Sequence, residues 1–532
     1  MKRRDFIGYG ALAGAGLALD GTLSPSWGQS ARTPGATVQT SAGRVRGYLD
    51  RNVQVFTGVP YGASTAGAGR FMPPRKPQPW TGVRDAFDWG QRAPAFVGGE
   101  PDEMLPTDPR EAQGEDCLVM NIWTPGTTGR RPVMVWLHGG GYRSGSGSYT
   151  IYSGHELARK HDAVSIALNH RLNVFGFLHL AEYGGEWAQA SNAGMLDVVR
   201  ALEWIREHIA GFGGDPDNVT VFGQSGGAGK VSTVMAMPAA KGLFHRAIAQ
   251  SGSNLTGISK ADAIRTTELV LQRLNIKPDQ LDRLRTIPVE RVLAVTRQAG
   301  DPPNGLNFGP VVDGRSLPTA PFDPDAPGAS ASVPFLTGTT ATESTFFAPD
   351  ERLRPIDAAE LRSRIKALLM IDDAKAGALV ALYKQQHPAR TDIDLWNRLE
   401  ADASTFRSGV DTQAERKARQ GAPVYLYRFE YYSPVRDGRL MAMHCMEIPF
   451  VFDNLAAGKV YTGDGPLAQR VADQMSAAWV AFARTGSPNH RGLPQWTAFN
   501  ATARPTMVFG PDTKLVNDPG REERLALVAL RS

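Results

Sequence analysis

Along the chain, runs in which nearly every position is apolar alternate with stretches in which apolar residues recur every three or four positions. "RPVMVWLHG" and "AVSIALNHR" are of the first kind and predict buried strands. "NVTVFGQ", at 218–224, is a β-branched and aromatic run after the turn signal "GGDPD" and predicts another. "NAGMLDVVRALEWIREHIAGF" is of the second kind. Its Met195, Val199, Leu202, Ile205 and Ile209 follow helical spacing, Asp197, Arg200, Glu203 and Arg206 take other faces, and glycines after Ile209 stop it. "GAGKVSTVMAM", small and helix-compatible, predicts one more helix. This alternation predicts an α/β fold with a large, mostly parallel central sheet covered by helices on both faces. The segment 350–420 is richer in charge and reads as helices, either a lid roofing a site or a peripheral insertion.

Composition narrows the class. The chain has 532 residues, 42% hydrophobic and 21% charged, with no apolar run long enough to span a membrane, so stable membrane insertion is not expected. Neither an internal repeat nor a long low-complexity linker divides it, and 31–532 reads as a single domain. The net charge of +5 is small for this length, and Lys and Arg are interleaved with Asp and Glu. That is a mixed, solvated surface rather than a nucleic-acid patch. Two cysteines, Cys117 and Cys445, make neither a disulfide framework nor a metal cluster, and the ten histidines show no H-E-x-x-H spacing. No metal and no cofactor is expected. The N-terminal "MKRRDFIGYGALAGAGLAL" has paired arginines, a phenylalanine two residues on and a modest glycine-rich apolar stretch. Residues 1–30 read as a twin-arginine export signal, against the alternative of a disordered basic tail, and the expected location is periplasmic or secreted.

"VFGQSGGAGKVS" carries the chemistry, and its spacing decides which chemistry. A phosphate-binding loop needs glycine at 224 and a hydroxyl residue at 231, where Gln224 and Val231 stand. G-x-S-x-G is filled instead, by Gly223, Gln224, Ser225, Gly226 and Gly227. It makes a tight strand-to-helix turn with the serine exposed at its apex, and strand, helix, strand, serine turn, helix is the order of an α/β hydrolase. A serine nucleophile needs a base, an acid to hold the base, and backbone donors for the tetrahedral oxygen. His138, Gly139, Gly140 and Gly141 in "WLHGGGYRSG" form an HGGG-type oxyanion loop after a predicted strand. For the acid, Glu343 in "FLTGTTATESTFF" and Asp313 in "FGPVVDG" both follow apolar runs, and sequence order leaves both open. Downstream of Glu343 lie His387 and His490, in charged or loop segments that read as surface, and His444 in "AMHCMEIPFVFDN", the strongest base candidate.

With "GEDCLVMNIWTP", "NHRLNVFGF", "GLFHRAIAQSGS", "GTTATESTFF" and "HCMEIPFVF" added to these blocks, the chain resembles the type-B carboxylesterases, the family of the cholinesterases and many bacterial esterases. The resemblance implies the α/β-hydrolase fold and a serine hydrolase that cleaves small-molecule carboxylic esters through an acyl-enzyme. It implies a triad of Ser225, Glu343 and His444, oxyanion donors from Gly140, Gly141 and Gly226, a supporting hydroxyl at Ser251, and an ion pair of Arg171 with Asp197. Asp313 then becomes a turn residue. A non-catalytic, cholinesterase-like binding protein would lack part of the triad, whereas amide, thioester or carbamate hydrolysis would use the same one. Three departures stand out: Ala93 where a disulfide partner of Cys117 is frequent, Gln224 in place of a glutamate before the nucleophile, and Cys445 where glycine often follows the base. Gln224 removes a negative charge beside the site and argues against a choline-like cationic substrate.

Overall fold

The apolar runs pair edge to edge. The structure is a computed structural model and describes residues 32–96, 105, 111–297, 306–348 and 350–530; the export-signal reading of 1–30 falls outside them. Among the described residues one sheet has 13 strands. They are β1 (Thr33–Gln39), β2 (Arg44–Asp50), β3 (Val53–Pro60), β4 (Val83–Asp85), β5 (Val119–Thr124), β6 (Arg131–Leu137), β7 (Val164–Leu168), β8 (Gly214–Gln224), β9 (Arg246–Gln250), β10 (Phe335–Thr340), β11 (Val424–Phe429), β12 (Pro505–Phe509) and β13 (Lys514–Asn517). Their spatial order is β1-β2-β3-β5-β7-β6-β8-β9-β10-β11-β12-β13, with β4 beside β2. From β7 to β12 all neighbours are parallel, and antiparallel pairs form both edges.

Burial on both faces explains why the central strands lack polar alternation. In β6, Val133, Val135 and Leu137 join one core cluster while Met134 and Trp136 join another on the opposite side of the sheet. Segment 350–420 contains the helices Ala358–Leu369, Asp373–Gln386, Asp392–Ala403 and Thr405–Ala418. The first three bury Leu361, Ile365, Leu379, Tyr383, Trp396 and Leu399 in a small core of their own. The fourth sends Val410 and Ala414 into the main core and lies on β10 and β11.

The helix Ala193–His208 buries Met195, Val199, Leu202 and Ile205 as their spacing requires, but Asp197 and Arg200 are buried as well. Arg200 pairs with Glu203 and Glu207 of the same helix, and for Asp197 the reason is tertiary. Asp197 receives a two-pronged ion pair, Arg171 Nη2 to Oδ1 at 2.6 Å and Nε to Oδ2 at 2.8 Å, and also accepts the Arg171 backbone N–H at 3.0 Å. Arg171 further donates to the Met72 carbonyl at 2.7 Å. Both side chains are at most 1% exposed, so neither charge has water to fall back on.

Removing one partner strands the other in a dry interior, a change that costs about 3–5 kcal/mol. Asp197→Asn and Arg171→Met should each lower the denaturation midpoint sharply, whereas Arg46→Ala, which breaks an exposed pair with Asp85, should move it little. Chemical denaturation of the three variants checks this.

Candidate active site

Parallel strands of one sheet end on one side, and loops leaving those ends converge there. The end of β6 delivers 138–141, the end of β8 delivers Ser225, and residues after β10 and β11 deliver Glu343 and His444. Ser225 lies between β8 and the helix Gly226–Ala236 with φ 58° and ψ −123°, in the region that L side chains rarely adopt. The turn is held by hydrogen bonds at both peptide groups of the serine. Its N–H donates to the Gln250 carbonyl at 2.8 Å, and its carbonyl accepts from Gly229 N–H at 3.1 Å. Glycine is obligatory just beyond it: a Cβ on Gly227 would lie 1.9 Å from the Leu137 carbonyl oxygen.

The glycine loop 139–141 meets this turn backbone to backbone. A Cβ on Gly226 would stand 2.3 Å from the Gly141 Cα, and Gly140 and Gly141 both have positive φ, 80° and 61°. Two of the glycines singled out from the sequence, Gly141 and Gly226, therefore meet in backbone contact next to Ser225. His138, at the head of the loop, stacks on His170 with ring centroids 4.9 Å apart. Burial, and next the charge of Lys230, hold both rings well below the ordinary histidine range, so both are neutral. Each Nδ1–H donates to a backbone carbonyl, Gly139 at 2.9 Å and Arg171 at 2.8 Å.

Glu343 and His444, 101 residues apart, are brought together: Nδ1 of His444 lies 2.5 Å from Glu343 Oε2, and each side chain is 1% exposed. The other carboxylate oxygen accepts Thr340 N–H at 2.8 Å. The two loops are stitched together beside this contact. Thr342 N–H donates to the Ala442 carbonyl at 3.1 Å, Ala442 N–H to Thr342 Oγ1 at 3.0 Å, and Thr345 Oγ1 to the Leu440 carbonyl at 2.8 Å. Asp313, the rival acid, caps its own turn by accepting Arg315 N–H, Leu317 N–H and the Ser316 hydroxyl. His387 is engaged by Glu523 and His490 by the Gln474 carbonyl, in other parts of the molecule.

The remaining surroundings of His444 carry less signal in the sequence. Gln224 is 1% exposed. Its amide nitrogen is 3.2 Å from Nε2 and 3.4 Å from Nδ1 of the imidazole. Near-equal distances to two nitrogens that flank Cε1 place the amide against the ring, off the in-plane lone pair of Nε2. The thiol of Cys445, at φ 70°, donates to the side-chain amide oxygen of Gln224 at 3.3 Å and fixes that orientation. Gln224 therefore packs on the histidine rather than opening onto a pocket. Phe347 and Phe406 lie parallel, 6.1 Å apart, with centroids 5.2 and 4.7 Å from the imidazole, and Phe347 is 59% exposed. Phe406 has no sequence signal beyond its place in the 350–420 segment. Cys117 and Ala93 are both core residues; most of the intervening loop falls outside the described residues.

Ser251, fully buried, points its hydroxyl at Glu447 Oε1 (3.4 Å), and the Gln250 amide approaches the same oxygen at 3.4 Å. Burial, reinforced by repulsion from Glu343, pushes the Glu447 carboxyl up to about 8. At neutral pH it is uncharged.

A family model described as the carboxylesterase family matches residues 34–528. The chain is 35% identical over 502 residues to the para-nitrobenzyl esterase of Bacillus subtilis (strain 168), covering 92% of this chain and 98% of that one. It is also 35% identical over 510 residues to the phenmedipham hydrolase of Pseudarthrobacter oxydans, with the same 92% and 98% coverage. Among solved structures, a carboxylesterase of Geobacillus stearothermophilus superposes with a TM-score of 0.78 at 38% identity, covering 92% of this chain and 99% of that one.

The Glu447 shift has a consequence for stability. A glutamate in the unfolded chain titrates at about 4.3. Between that value and about 8 the native state holds a proton that the unfolded chain has lost, so this contribution to stability falls as pH rises through that window. Glu447→Gln carries no such proton. Its melting temperature relative to wild type should therefore increase from about pH 5 to about pH 9, measured by calorimetry at matched ionic strength; a constant difference would show that Glu447 does not titrate there.

Proposed function

Since this chain belongs to the carboxylesterase family and is a serine hydrolase of carboxylic esters, we propose that Ser225 is its nucleophile, His444 its base and Glu343 the acid that orients the base. The observation that carries the assignment is the 2.5 Å contact of His444 Nδ1 with Glu343, dry on both sides. A carboxylate there fixes the tautomer: Nδ1 carries the proton and Nε2 keeps its lone pair. Nε2 takes the proton of Ser225 Oγ as that oxygen attacks the ester carbonyl. The tetrahedral oxygen turns toward the peptide N–H groups of Gly140, Gly141 and Gly226. As the intermediate collapses, the imidazolium gives its proton to the departing alcohol, leaving an acyl-serine. Water, deprotonated by the same imidazole, releases the acid and restores the serine. Each step balances with these groups and water alone.

For the substrate we infer a neutral ester carrying an aromatic group. Phe347 and Phe406 stand face to face beside the imidazole that protonates the leaving alcohol, and Phe347 is open to solvent. Aromatic rings pack against such walls with a gain of about 0.5–1.5 kcal/mol beyond area burial. The name of the Bacillus relative, a para-nitrobenzyl esterase, agrees with this reading. Gln224, a neutral amide turned onto the histidine, gives a choline-like cation no charge to pair with.

Two experiments test these assignments. Ser225→Ala should lower turnover by roughly 10⁴- to 10⁶-fold with the fold unchanged, and a fluorophosphonate probe should label wild type and not the variant; labelling of another serine would overturn the assignment. Phe406→Ala should raise KM for benzyl esters by about 2- to 10-fold relative to butyl esters. Equal loss on both would show that the ring serves packing alone.

A further inference from the structure

Lys230 lies five residues beyond Ser225, and its helix position alone gives it no role. In the structure it is 0% exposed. Its ammonium donates to the His138 carbonyl at 2.9 Å and sits 5.9 Å over the ring of Tyr142. His138 enters the glycine loop 139–141 and Tyr142 leaves it, so one side chain braces both ends of the loop. The same charge is felt by the stacked pair His138 and His170, whose neutral rings form the wall behind. A methionine would fill the same volume without the desolvation that a buried ammonium entails. Packing therefore does not account for a cation here, whereas the chemistry of the adjoining recess does. Negative charge develops on the carbonyl oxygen only in the transition state, and in a dry, low-dielectric site a fixed positive charge acts on it strongly.

We propose that Lys230 is a positioning residue of the oxyanion hole, holding the 139–141 backbone from behind and adding a buried positive charge that favours the tetrahedral oxyanion over the bound ester. This rests on the reading of Gly140, Gly141 and Gly226 as the oxyanion donors. A group acting this way lowers the barrier and leaves ground-state binding nearly untouched, so its removal appears in kcat rather than in KM. The contact with the His138 carbonyl and the charge itself are separable. Glutamine at 230 keeps a donor for that carbonyl and drops the charge, and methionine drops both.

The test compares wild type, Lys230→Gln and Lys230→Met with a neutral ester and with a matched pair of inhibitors, a trifluoromethyl ketone, which adds to the serine as an oxyanion, and the methyl ketone of the same skeleton. Lys230→Met should lose about 10- to 100-fold in kcat with KM within about twofold, and its affinity for the trifluoromethyl ketone should fall by the same factor. Lys230→Gln should lose less, with the same parallel fall. Unchanged kcat and ketone affinity in a folded variant, or a loss confined to KM, overturns the proposal; should the methionine variant not fold, the same comparison on the glutamine variant decides. The underlying reading fails separately, in wild type: the trifluoromethyl ketone would then bind no more tightly than the methyl ketone, whatever Lys230 does.

Discussion

The site is organised by the strained backbone at Ser225. A non-glycine residue at φ 58° and ψ −123° is held in a conformation that costs on the order of 1–3 kcal/mol, and it persists only where the surroundings leave no alternative. Here they leave none. β8 runs buried between β6 and β9, the helix after it must start against the Leu137 carbonyl, and Gly227 permits contact too close for any side chain. The consequence reaches beyond the serine. Because the helix starts so close to β6, the loop leaving β6 runs into Gly226, and the same close approach places the glycine loop and Ser225 side by side.

Two buried carboxyl groups near the imidazole meet different surroundings. Glu343 is satisfied by a backbone N–H and by the imidazole. Glu447, a few residues beyond His444, is pushed up by burial and then by the Glu343 charge, and holds its proton at neutral pH. The two neighbouring carboxyl groups take different places: Glu343 contacts the imidazole at Nδ1, and Glu447 accepts from Ser251 and Gln250. Gln224, held by Cys445, adds an uncharged dipole beside the ring, and the carboxylate of Glu343 meets it at Nδ1.

How much of this is legible in the sequence depends on whether the signal is local. β6, β7 and the end of the strand before Ser225 are largely apolar or β-branched because both faces are buried, and the glycines of the loop and turn mark contacts that only glycine allows. What the sequence does not reveal comes from partners far along the chain. Helical periodicity turns Asp197 outward because it cannot see Arg171 arriving from the loop after β7. Glu343 and Asp313 look alike as acids after apolar runs, and what separates them is the stitching of Thr342 to Ala442. The place of Gln224 beside Ser225 suggests a side chain facing substrate, but it meets an imidazole 220 residues away. Helix geometry gives Lys230 a direction and says nothing of the His138 carbonyl waiting there.

If the imidazole held by Glu343 activates Ser225 for covalent acyl transfer, the acyl group must pass through that serine. The most direct test is rapid acid quenching of wild type during turnover of p-nitrophenyl acetate, followed by mass spectrometry of the digested protein. One acetyl group is expected on the peptide bearing Ser225, present in wild type and reduced below detection in His444→Ala. An acetyl group on another residue, or none at all while p-nitrophenol is released in a burst, would contradict acyl transfer through Ser225.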